Sequence, residues 1–113
     1  MSTSCKLTVT ETSVDEANNK STISVKLTAT TSGQSHNNYT SGVYYPSGTI
    51  TINGTSYGIG HTLPYNSTVT LYNKSHTITH NSDGTKSVTV KYSFNTHIYE
   101  GTLTGTKTLK LYQ

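Results

Sequence analysis

Five histidines, five carboxylate side chains and one cysteine are the groups here that could bind a metal or move a proton. His76 and His80 stand four residues apart, a chelating interval on a helix. On a strand, at about 3.3 Å per residue, the same interval is roughly 13 Å, too far for one ion. The run Asn81-Ser82-Asp83-Gly84 brings a single carboxylate, whereas a calcium loop takes about six to eight oxygen ligands. No metal and no cofactor are expected. No nucleophile-elbow, zinc-protease or phosphate-loop motif occurs, Cys5 has no neighbouring His in sequence, and Asp15 and Glu16 read as a solvated acidic pair. The chain is expected not to be an enzyme. Cys5 shares its phase with Leu7 and Val9 and reads as a buried structural thiol. Being alone, it forms no intrachain disulfide.

The aromatic composition is more pointed, with nine tyrosines against one phenylalanine and no tryptophan. Tyr92 has the phase of a core residue. Tyr39, Tyr44, Tyr45 and Tyr65, with Tyr99 and Tyr112, fall in connections or on outward phases. An exposed tyrosine joins a flat apolar face to a hydrogen-bonding tip, which suits sugar rings and protein partners. Tyr39, Tyr44, Tyr45 and Tyr65 are therefore the candidate ligand-binding residues. The alternative is that they brace long loops against the rim of the fold, and both readings stand at this point.

What must position these groups is a set of strands. Val88, Val90, Tyr92 and Phe94 occupy every second position with Ser, Thr and Lys between them, the period of a strand with one buried face. Cys5, Leu7 and Val9 repeat the pattern, as do Ile23, Val25, Leu27 and Ala29, and Leu109 with Leu111. About one residue in three is Ser or Thr, and Thr forms strands well. Asn53-Gly54 is the preferred pair for a two-residue type I′ turn. That turn pairs Ile52 with Thr55 and Ile50 with Tyr57, which places Ile50, Ile52, Tyr57 and Ile59 on one face. Asn81-Ser82-Asp83-Gly84 predicts a second hairpin, with Gly84 at positive φ and His80 bonding Asp83 or the turn backbone. Val69 and Leu71 are at odd positions and Ile78 at an even one. The phase therefore slips across Tyr72 to Ser75, predicting a turn or bulge and two strands rather than one. Gly33 to Pro46 lacks a period and reads as a long loop or an irregular strand. Seven to eight short strands with no amphipathic helix predict an all-β, antiparallel Ig-like β-sandwich, a single domain over residues 1–113.

Three pieces of the chain carry a family resemblance. The string His80-Asn-Ser-Asp-Gly-Thr-Lys-Ser-Val88, with the strand after it, resembles a turn in Ig-like β-sandwich domains of tail and baseplate proteins from long-tailed bacteriophages. Asn19-Lys-Ser-Thr-Ile-Ser-Val25 and Gly48-Thr-Ile-Thr-Ile-Asn-Gly-Thr55 are similar to two further pieces of such domains. The early strand here lacks the Trp that they often carry. The resemblance implies a non-enzymatic virion domain, made in the bacterial cytoplasm and built into the tail or baseplate of the phage particle. It would act there as an assembly or host-adhesion module with other virion proteins as partners. The second reading is a carbohydrate-binding module that recognises host cell-wall polysaccharide through Tyr-rich loops.

The charge fits either. All of the positive charge behind the net +3 is lysine, spread from Lys6 to Lys110, and no arginine is present for bidentate phosphate contacts. Nucleic acid is not an expected partner. The lysines read first as a solvated surface and second as a mild attraction to anionic polymers such as cell-wall phosphate polymers. No apolar run approaches a membrane span or a signal-peptide core, so membrane insertion is not expected.

Overall fold

A computed structural model describes residues 2–32, 45–64, 66–96 and 101–112. Seven strands follow one another: β1 (Ser2–Asp15), β2 (Lys20–Ser32), β3 (Ser47–Ile52), β4 (Thr55–Gly60), β5 (Thr68–Thr79), β6 (Thr85–Asn95) and β7 (Thr102–Tyr112). They form two antiparallel sheets, ordered β1-β2-β5 and β4-β3-β6-β7. No helix occurs among the described residues. Alternation explains the layering, because each strand has one apolar face and only a second sheet can cover it. Ile23, Val25, Leu27 and Ala29 of β2 are fully buried, and so are Ile50 of β3 and Val88, Val90 and Phe94 of β6. Each large side chain so buried contributes roughly 1.5–3 kcal/mol. The result is the Ig-like sandwich that the alternation predicts.

The β3–β4 hairpin has the expected register. Asn53 and Gly54 have φ of 50° and 88°, both positive as a type I′ turn requires. Ile52 pairs with Thr55 and Ile50 with Tyr57.

Three expectations need correction. β5 is one strand, not two, since a bulge at Leu71 absorbs the phase slip: Leu27 pairs with Tyr72 and Thr28 with Thr70, leaving Leu71 unmatched. The strands are not all short, for β1 has 14 residues and β2 has 13. β1 runs on past the alternating Cys5, Leu7 and Val9 to Asp15, across its own bulge between Glu11 and Ser13. The turn at Asn81–Gly84 is real but joins no hairpin. Gly84 N–H donates to the Asn81 carbonyl at 2.9 Å and Asn81 N–H to the Thr85 carbonyl at 2.7 Å, with Gly84 at φ 86°. Yet His80 N–H turns away to the Asn19 carbonyl at 2.8 Å. β5 stays with β2, and β6 crosses to β3 in the other sheet. Alternation on both sides of a turn is equally compatible with a hairpin and with such a corner.

The sandwich measures 51 × 22 × 18 Å. β1 starts beside Ser32, at the end where Thr31 N–H reaches the Ser67 carbonyl. β7 finishes beside Thr85, at the end where Asn19 meets Asn81. Two seams run along the long sides where sheet edges face each other, β1 against β7 and β4 against β5.

Candidate functional site

The β4–β5 seam gathers the aromatic side chains. Past the Leu71 bulge, Tyr72 pairs with Leu27, Lys74 with Val25 and His76 with Ile23, so all three share the inward side of an edge strand. Leu71 and Tyr72 are consecutive and both buried, a consequence of the bulge. The Tyr72 hydroxyl lies 2.6 Å from His76 Nε2, and the two rings stack at 5.9 Å with 13° between their planes. Tyr57 arrives from β4, its centroid 5.3 Å from His76 and 5.8 Å from Tyr72. Lys74 Nζ stands 5.9 Å from the Tyr72 ring centre, a cation–π contact.

Electrostatics assigns the proton between Tyr72 and His76. Burial, and then the Lys74 ammonium, hold the His76 imidazolium below its ordinary range. Burial, and then Tyr57, push the Tyr72 hydroxyl up. Tyr72 therefore donates and neutral His76 accepts at Nε2. Beside the rings opens a cleft of about 620 Å³, lined by Ser56, Tyr57 and Gly58 of β4 and by Thr70 to Lys74 of β5. Its lining carries one charge, the Lys74 ammonium, and no carboxylate.

Of the four candidate tyrosines, Tyr39, Tyr44 and Tyr65 lie outside the described residues. Tyr45 is half-buried with its ring against Gly60, where a Cβ would come within 2.7 Å of it. The seam instead uses Tyr57, which the sequence assigned to the core face, and Tyr72, which it did not single out. The phase slip at Tyr72 was the available signal.

His80 does not bond Asp83. Its Nε2 lies 2.6 Å from Ser21 Oγ, and Ser21 Oγ donates to Glu11 Oε2 at 2.6 Å. With the hydroxyl proton committed to Glu11, His80 donates from Nε2. Nδ1 is buried without a partner. Ser, His and Glu are the residue types of a hydrolytic triad in the wrong order, with the serine central and 1% exposed. The trio ties β1, β2 and the end of β5 together. Asp83 instead accepts from the Thr85 hydroxyl at 2.7 Å and the Thr85 N–H at 3.0 Å, and these bonds lower its pKa. Asn81 takes part through its backbone, its carbonyl also accepting from Asn19 Nδ2 at 2.8 Å. Asp15 is exposed and held by Asn18. Cys5 is half-buried, and burial pushes its thiol up to about 11. No group of three metal-ligating side chains comes together among the described residues.

Compared with known proteins, residues 2–112 match a family model described as siphovirus protein of unknown function (DUF859). No curated protein and no solved structure matches the chain.

Proposed function

The chain belongs to this siphovirus protein family, and from that membership and the seam cleft we propose that it is a non-enzymatic domain of the phage particle. Its place is the tail or baseplate, where it is an assembly or host-adhesion unit in contact with other virion proteins. The observation that carries the reading is the cleft between β4 and β5. Tyr57, Tyr72 and His76 are already locked against one another there, so a partner meets an ordered surface and loses little side-chain entropy on docking. The groups on offer are a ring face, hydroxyls, an amide and an ammonium, which suit recognition more than bond making.

The test is location. Purified particles should contain the protein, and gold-labelled antibody against it should decorate the tail end. Absence from purified particles, or label confined to the head, would overturn the reading.

A further inference from the structure

Resting on the adhesion half of that reading, we propose that the β4–β5 cleft binds an anionic glycan, a sugar chain carrying phosphate or carboxylate groups. Tyr57 offers a ring face to a sugar and Lys74 pairs with the anion.

β4 and β5 each have a neighbour on one side only, and their facing edges leave a cleft of about 620 Å³. That volume lies in the range of about 300–1,000 Å³ common to small-ligand sites. Gly58, in its wall, has no atom within 4 Å of where a Cβ would stand, so a bulky ring can approach the β4 backbone closely.

The lining selects the ligand. Tyr57, half-buried, and Tyr72, 7% exposed, both line the cleft. Sugar rings present axial C–H groups that pack on such faces, while the exposed Thr70 and Asn73 in the lining are short polar residues of the kind that hydroxyl groups need. Charge then separates acidic from neutral glycans. Lys74, exposed on the edge strand β5, lines the cleft with no carboxylate in the lining, and the whole chain carries a net charge of +3. An anion entering the cleft meets attraction from near and far.

A second signature follows from what faces His76: Tyr72 and Lys74 on its own strand, Tyr57 on β4 and apolar Ile23 opposite on β2. Lys74 is the one charged group in this set. An anion that neutralises it removes part of the field disfavouring the imidazolium. Binding raises the His76 pKa, and affinity rises as the pH falls through the histidine range.

The experiment is a titration of the chain, followed by NMR signals of the Tyr57, Tyr72 and His76 rings. The probes are a galacturonate oligomer, a glycerol phosphate oligomer bearing sugar, a neutral dextran oligomer of equal length, and inorganic phosphate. At least one anionic oligomer should shift all three rings and raise the His76 pKa. Tyr57→Ala and Lys74→Gln should each weaken binding about tenfold or more, with near-ultraviolet circular dichroism confirming the fold. Tyr112→Ala and Lys110→Gln remove an exposed ring and an exposed ammonium far from the cleft, and should leave binding unchanged. Which anionic oligomer binds tells phosphate from carboxylate. The proposal is overturned if no oligomer shifts the rings, if neutral dextran binds as well as the anionic probes, if inorganic phosphate alone binds, or if the distant variants weaken binding as much as the cleft variants. Tail labelling without glycan binding would sink this inference and leave the virion reading standing, whereas glycan binding by a protein absent from particles would do the reverse.

Discussion

The Ser21 hydroxyl on β2 stands 2.6 Å from Nε2 of His80, one residue past the end of β5. Both side chains are buried, at 1% and 5% exposure. A hydrogen bond in such a place matters mostly through what its removal leaves behind, since an orphaned buried donor keeps its full desolvation cost. Ser21→Ala strands the Nε2–H of an imidazole whose Nδ1 is already unpartnered. The variant should lose roughly 1–3 kcal/mol of stability in urea unfolding. An unchanged midpoint would show that His80 finds another acceptor.

Gly48 probes a different contact. It pairs with Phe94 across β3 and β6, and a Cβ there would overlap the Ser93 carbonyl. Because the obstacle is backbone, no rotamer change relieves it. Gly48→Ala should cost more than about 2 kcal/mol, at the high end for point substitutions. A variant that melts with the wild type would mean that β3 can shift away from β6.

At the corner between the sheets, Gly84 has φ 86°, a conformation that β-branched residues tolerate poorly. Gly84→Val should destabilise by roughly 1–3 kcal/mol. Equal melting temperatures for variant and wild type would remove the corner from the list of strained positions.

Acid should weaken the fold through His76. Burial and Lys74 hold its folded pKa below the ordinary 6.5, so the unfolded chain binds more protons just under that value. The contribution is complete above pH 6.5 and is lost as the pH falls through the lower folded value. Asp15 and Asp83, also lowered, act in the same direction but only below 3.8. Melting temperature followed from about pH 7.5 to about 5 should fall more steeply for wild type than for His76→Gln. Parallel curves would count against this account of the seam.

Cys5 should be slow to react. With its pKa pushed from 9.0 to about 11, the thiolate fraction near neutral pH drops about a hundredfold, and the thiolate is the nucleophile. A thiolate of higher pKa is also more nucleophilic, so iodoacetamide should label the folded chain at least about tenfold more slowly than the chain unfolded in urea. Similar rates would place the sulfur in solvent.

Local features were legible in the sequence, and long-range pairings were not. Asn53-Gly54 fixes both a turn type and a register, so Ile50 and Tyr57 were matched correctly from sequence alone. The buried faces of β2 and β6 followed from alternation. At Asn81–Gly84 the turn was visible but the partner of each flanking strand was not, because choosing between hairpin and corner depends on Asn19 capturing the His80 N–H from 61 residues earlier. The aromatic seam was hidden for the same reason. Tyr57 and Tyr72 meet only because β4 and β5 are the last strands on one side of their respective sheets, and a bulge aims one of the rings.

The opposed placement of the start of β1 and the finish of β7 has a mechanical meaning. Both are edge strands lying along the 51 Å axis, and β1 leaves from the end opposite the one at which β7 arrives. Tension between them slides β1 along β2 and β7 along β6. The ladder bonds lie across the strands, so this load strains a whole row of them at once instead of peeling them open in turn. A sandwich loaded this way is stiff along its length, and it yields most readily to forces that pry a strand away sideways.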